Sequence, residues 1–132
     1  MSSKPSVAER IDAIESAYEF MLAYAAQGRR GTEGGPSDEI RDYLERFQGA
    51  LEGLGAACKA AVGEGSGAAA LARFLPTLDA DAEKAGAAIG LVTAQAAISS
   101  QKIDNLNASL HVRTLLTDMF LVSGMLPEDE AL

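Results

Sequence analysis

The residues that most often carry chemistry are few in this chain, and their spacing specifies no reaction. Its only histidine, His111, lies in Leu110-His-Val-Arg113, and its only cysteine, Cys58, precedes Lys59. A lone histidine cannot supply the paired Glu-x-x-His ligands of a di-iron or di-manganese bundle. As a general base it would need a nucleophile or an orienting acid at a fixed spacing, and the sequence specifies neither. Cys58 falls in phase with Leu51 and Leu54, the position of a small buried hydrophobe rather than of an exposed, activated thiolate.

The carboxylates are more numerous. Glu15 and Glu19 stand one turn apart, as do Asp42 and Glu45, and Glu52 stands two turns from Glu45, which would suit a magnesium or manganese ion if they faced inward, but their helical phase turns them outward. Asp79-Ala-Asp-Ala-Glu83 has the spacing that opens a calcium loop, but Lys84 occupies the sixth position where that loop requires glycine. The glycine-rich segments 28–35 and 63–67 follow no strand and lack Gly-Lys-Ser/Thr, so they read as connections rather than phosphate cradles. No catalytic residue, metal ligand or cofactor is expected. Arg29 and Arg30, beside the first glycine loop, are the candidates for docking an acidic partner.

Charge and composition narrow the classes further. The formal net charge of -8 and the scattered placement of eleven lysines and arginines argue against binding nucleic acid. The uncharged stretch between Lys84 and Lys102 is too short and too rich in Gly, Ser, Thr and Gln for a membrane span. A single cysteine and an amino-terminal segment without an apolar core point to the cytoplasm.

The elements that would position these residues are helices. Ser6 and Glu9 form a capping-box pattern ahead of Val7, Ile11, Ile14, Tyr18, Met21 and Ala25, which predicts a helix over about 6–28 with a broad apolar face. Ile40, Leu44, Phe47, Leu51, Leu54 and Cys58 repeat the four-three rhythm and predict a second helix over 37–62, with Arg41, Glu45, Gln48 and Glu52 on its solvated back. A short helical piece at 68–75 ends at Pro76, and a third helix runs over 77–103. Gly86 and Gly90 on that helix suit close approach to a neighbour, within the bundle or across a dimer.

After Leu110 the apolar phase reverses. The cap-forming residues of Asp104-Asn-Leu-Asn-Ala-Ser109 place a break at 103–108, ahead of a fourth helix over 107–124 and a tail at 127–132. The expected architecture is a single all-α domain, an antiparallel bundle of about four helices. The alternative is one unbroken terminal helix of about 48 residues, roughly 70 Å long, exchanged in a dimer.

Function then falls into two classes. The first is a non-catalytic protein-interaction protein: an adaptor, assembly factor or small accessory subunit acting as a homodimer or within a larger complex. Its contacts are expected at Arg29, Arg30, Leu115, Met119, Phe120 and Met125. The second is a bundle that binds a small molecule or a carboxylate-held metal, with an enzymatic role, in a pocket lined by Tyr18, Met21, Tyr24 and Phe47.

Overall fold

The capping box opens the first helix as its sequence requires. The Ser6 hydroxyl accepts from the Glu9 amide at 3.1 Å, and the Glu9 carboxylate accepts from the Ser6 amide at 3.0 Å. The second bond favours the ionised carboxylate and, with the Ser6 side chain, holds Glu9 below the usual carboxylate range. The protein is described by a computed structural model that covers residues 4–127, apart from the side chains of residues 36 and 37. Six helices and no strand occur among the described residues: α1 Val7–Ala25, α2 Pro36–Leu51, α3 Leu54–Val62, α4 Ala68–Thr93, α5 Ser100–Ala108 and α6 Leu110–Ser123. The described part of the chain is therefore all-helical. Of the expected tail at 127–132, all but Pro127 lies outside the described residues.

The apolar stripes form the core. Val7, Ile11, Ile14 and Met21 of α1 are buried with Ile40, Leu44, Phe47 and Leu51 of α2. Helix α1 packs against α2, α5 and α3, while α4 packs against α2, α3 and α6. The double-faced α1 thus meets neighbours on two sides, as its wide apolar arc demands.

Three boundaries differ from the sequence-based expectation, each for a physical reason. The helix expected over 37–62 is two helices. The chain turns at Glu52 and the left-handed Gly53, where the guanidinium of Arg10 receives the loosened end of α2: it donates to the carbonyls of Pro5 (3.2 Å), Ala50 (3.2 Å) and Glu52. Leu51, Leu54 and Cys58 nevertheless all remain buried, so the stripe survives the break.

The boundary expected at Pro76 is absent, and the piece 68–75 forms the first turns of α4. An internal proline costs a helix about 3 kcal/mol. Here Leu71, Leu78, Ala82, Ala85, Ile89 and Val92 hold one continuous buried face across it, and that burial outweighs the cost.

The break expected at 103–108 falls elsewhere, because those residues lie inside α5. Instead the chain leaves helix at Ala94–Ser99 and bends once more at Ser109. Ser99 caps α5 by accepting from the Lys102 amide, and Ser109 ends α5 and caps α6 by accepting from the His111 amide. Neither a single helix over 77–103 nor one unbroken helix to the carboxyl end is formed.

A buried group of hydrogen bonds sets the 94–99 turn. Tyr24 donates its hydroxyl to the Ile98 carbonyl at 2.6 Å, and the Ser100 hydroxyl donates to the Tyr24 carbonyl at 2.6 Å. The Arg29 amide donates to the Ser100 hydroxyl at 2.8 Å, and the Ser100 amide returns a bond to the Arg29 carbonyl at 2.9 Å. From the other side, Arg41 donates to the carbonyls of Thr93, Gln95 (2.8 Å) and Ala96 (3.4 Å), closing the frayed end of α4. Arg41 and Gln48 therefore face a neighbour rather than solvent. Gln48 donates to the Gly86 carbonyl at 3.1 Å, and a Cβ at Gly90 would stand 2.8 Å from its Nε2. The two glycines serve the α2–α4 contact inside the chain.

Gly31 seats the first loop on this turn. Its φ is +92°, and a Cβ there would lie 2.6–2.8 Å from the backbone of Ile98. Gly28 has a φ of +66° but open space around it. Gly31→Ala is expected to cost about 3 kcal/mol or more, against about 1 kcal/mol for Gly28→Ala, in urea unfolding. Equal costs would mean that the loop does not rest on Ile98.

Candidate functional site

Helix α6 carries more apolar residues than one buried face can absorb. In Met119-Phe-Leu-Val122 successive side chains step round the helix by 100°, so four in a row sweep most of its circumference. Met119 and Val122 turn inward and are buried with Val112 and Leu115. Phe120 and Leu121 turn outward, 69% and 63% exposed. Beside them a notch of about 40 Å³ is lined by Ile11, Ile14 and Glu15 of α1 and by Leu116, Met119 and Phe120 of α6. The result is an apolar face at the α1–α6 edge with a carboxylate on its rim.

Leu91 on α4 and Leu110 at the start of α6 are also exposed. Leu91 borders a shallow cleft that also involves Val92, Lys102, Leu106 and Ser109, and Leu110 follows Ser109 in the chain.

The expected contact residues are thus divided. Phe120 lies on the exposed face; Leu115 and Met119 belong to the core, and Met125 is partly buried with its Cε against Gly67. Arg29 is half-buried and Arg30 exposed, and the backbone of both is held in the loop. The Arg29 guanidinium donates to Gln27 at 3.0 Å and its backbone is tied to Ser100. The amides of Arg30, Gly31 and Thr32 converge on the Glu33 carboxylate at 2.8–3.1 Å, so the loop's anion-binding nest is filled by its own side chain.

The expected pocket residues are not brought together as a pocket. Met21, Tyr24 and Phe47 are fully buried in the core, Tyr18 is half-buried, and none of them lines the clefts described here. An open groove of about 810 Å³ lies instead between Lys4–Val7, Arg10 and the alanine face of α3, Ala56, Ala57, Ala60 and Ala61. Its one buried charge, Arg10, is committed to backbone carbonyls. Glu15, Glu19 and His111 are exposed, and among the described residues no group of three or more His, Cys, Asp or Glu is arranged to hold a metal. No described helix is long and apolar enough to cross a membrane.

One titratable pair was not anticipated from the sequence. Asp118 of α6 is buried, hydrogen-bonded to the carboxyl of Asp81 on α4, and its Oδ2 has no partner. Burial foremost, then the bond to Asp81 and its charge, push the Asp118 carboxyl up to about 7. A helical phase calculation would have placed Asp118 between Leu115 and Val122 on the inward side.

The chain matches no protein-family model, no curated protein and no solved structure at significant similarity.

The two classes of arginine separate in a simple comparison. Arg10→Ala leaves buried helix-end carbonyls unpaired and removes the packed stem, and is expected to cost about 2–4 kcal/mol. Arg30→Ala, at an exposed loop position, should change stability by less than about 0.5 kcal/mol. Thermal unfolding of the two variants checks the order.

Proposed function

We propose that the protein is a non-catalytic interaction protein, an adaptor or small accessory subunit, and that the α6 face around Phe120 and Leu121 is where another protein chain docks. The observation that carries this reading is two adjacent large apolar side chains exposed beside an apolar notch on a helix whose other side is already fully used in the core. Covering a Phe or Leu side chain contributes about 1.5–3 kcal/mol, so the pair alone is a substantial part of a docking energy. The partner chemistry is an apolar helix face inserted at i, i+3 and i+4 positions, with a basic group near Glu15 to suit a chain of net charge -8. A second copy of the chain meeting the same face about a two-fold axis is the homodimeric form of this function. It operates without a cofactor, away from nucleic acid and membrane, in the cytoplasm.

The test is light scattering across a concentration series together with binding of a hydrophobic dye, for the wild type and for Phe120→Glu/Leu121→Glu. Both positions are exposed, so the double variant should fold with stability within about 1 kcal/mol of the wild type. Self-association or dye binding that disappears in the variant supports the docking face. A wild type that is strictly monomeric and silent to the dye contradicts it.

A further inference from the structure

The α4–α6 seam contains a pair of acids where packing calls for apolar residues. Asp118 is only 5% exposed, and its carboxyl is hydrogen-bonded to that of Asp81 on the facing helix. Two ionised carboxylates have only acceptors, so this bond exists only when a proton sits between them. The other buried residues of α4 are Leu71, Leu78, Ala82, Ala85, Ile89 and Val92, and those of α6 are Val112, Leu115, Met119, Val122 and Ser123. A cation is a poor answer to the pair's charge. The described residues offer no third ligand group, and the interior carbonyls of two helices are already engaged in helical bonds.

We propose that Asp81 and Asp118 form a proton latch between α4 and α6: one shared proton closes the seam, and its loss above neutral pH loosens α6 from α4. This goes beyond the docking function and stands or falls independently of it.

The surrounding charges leave the pair uncompensated. On α4, Arg73, Asp79, Glu83 and Lys84 are exposed; on α6, His111 and Arg113 are exposed. On α5, Asp104 is exposed and Lys102 donates to the Ala97 carbonyl at 2.6 Å. Across the α1 edge, Glu15 is exposed and Arg10 is occupied by the carbonyls at the end of α2. Asp81 is the one charged group that acts on Asp118. The direction of the pH effect follows. In the folded chain the Asp118 carboxyl keeps its proton to about 7, whereas its ordinary value is 3.8. Between those values the folded state binds more protons than the unfolded one, so the contribution is complete below about 4 and declines as pH rises to about 7 and beyond. The unpartnered Oδ2 adds to the cost once the charge is fixed there.

The experiment follows thermal unfolding from pH 5 to 8.5, and amide exchange of α6 normalised for intrinsic rate, in the wild type, Asp118→Asn, Asp81→Asn and His111→Gln. Expected is a wild type that loses stability as pH rises through about 7 and levels off above about 8, with α6 protection falling by up to about tenfold per pH unit below 7 and flattening beyond it. Asp118→Asn should flatten both profiles, while His111→Gln keeps the wild-type slope. If Asp118→Asn does not fold, Asp81→Asn tests the pair in its place: it removes the second carboxylate but not the burial of Asp118, so its pH slope should be shallower than the wild type's without being flat. Wild-type and Asp→Asn profiles that run parallel, or a slope abolished by His111→Gln, would overturn the latch.

Discussion

The arrangement depends on the buried crossing of Tyr24, Ile98, Arg29 and Ser100. Tyr24 spends its hydroxyl on the Ile98 carbonyl, and Ser100 answers the carbonyl of Tyr24 and the amide of Arg29. In a dry interior each such group is costly if left unpaired, so the three segments that meet here are fixed as a set. The end of α1, the first loop and the turn between α4 and α5 cannot move separately. This crossing sends the chain into α5 along α1 and brings α6 back to α4, instead of letting one long helix run into solvent.

Two arginines extend the same logic to helix ends. Where α2 and α4 stop, their last carbonyls lack helical partners, and Arg10 and Arg41 reach in from α1 and α2 to supply donors. Each break is therefore paid for by a side chain distant in sequence. That is why there are six helices among the described residues where hydrophobic phase alone suggests about four.

The difference shows what the sequence contains locally. The four-three stripes, the Ser6–Glu9 box and the inward phase of Cys58 are properties of neighbouring residues, and all were legible. The serines that cap α5 and α6 were visible as cap formers, yet the turn itself lies at 94–99 because Tyr24 and Arg41, some fifty to seventy residues away, stabilise it there. Pro76 misled in the opposite sense, since a continuous buried face outweighs a local penalty. At the site, the apolar surplus of Met119–Val122 was readable, but the division between core and surface was not: Leu115 and Met119 point inward only because α4 lies against that side of α6. The bonds that hold the backbone of the two loop arginines, to Ser100 and to the Glu33 carboxylate, depend on the fold and were not legible, whereas the exposure of Arg30 agrees with its polar loop setting.

What this framework leaves uncovered is the outer side of α6. Its inner side is held by Leu115, Met119 and Val122, and the crossing at Ser100 fixes the path by which α6 arrives. The functional account therefore rests on Phe120 and Leu121 being open to solvent in the isolated chain. Hydroxyl-radical footprinting of dilute protein, read residue by residue, measures this directly. The account predicts strong labelling of Phe120 and Leu121 with Leu115 and Met119 protected, whereas protection of Phe120 and Leu121 in the dilute monomer would contradict it.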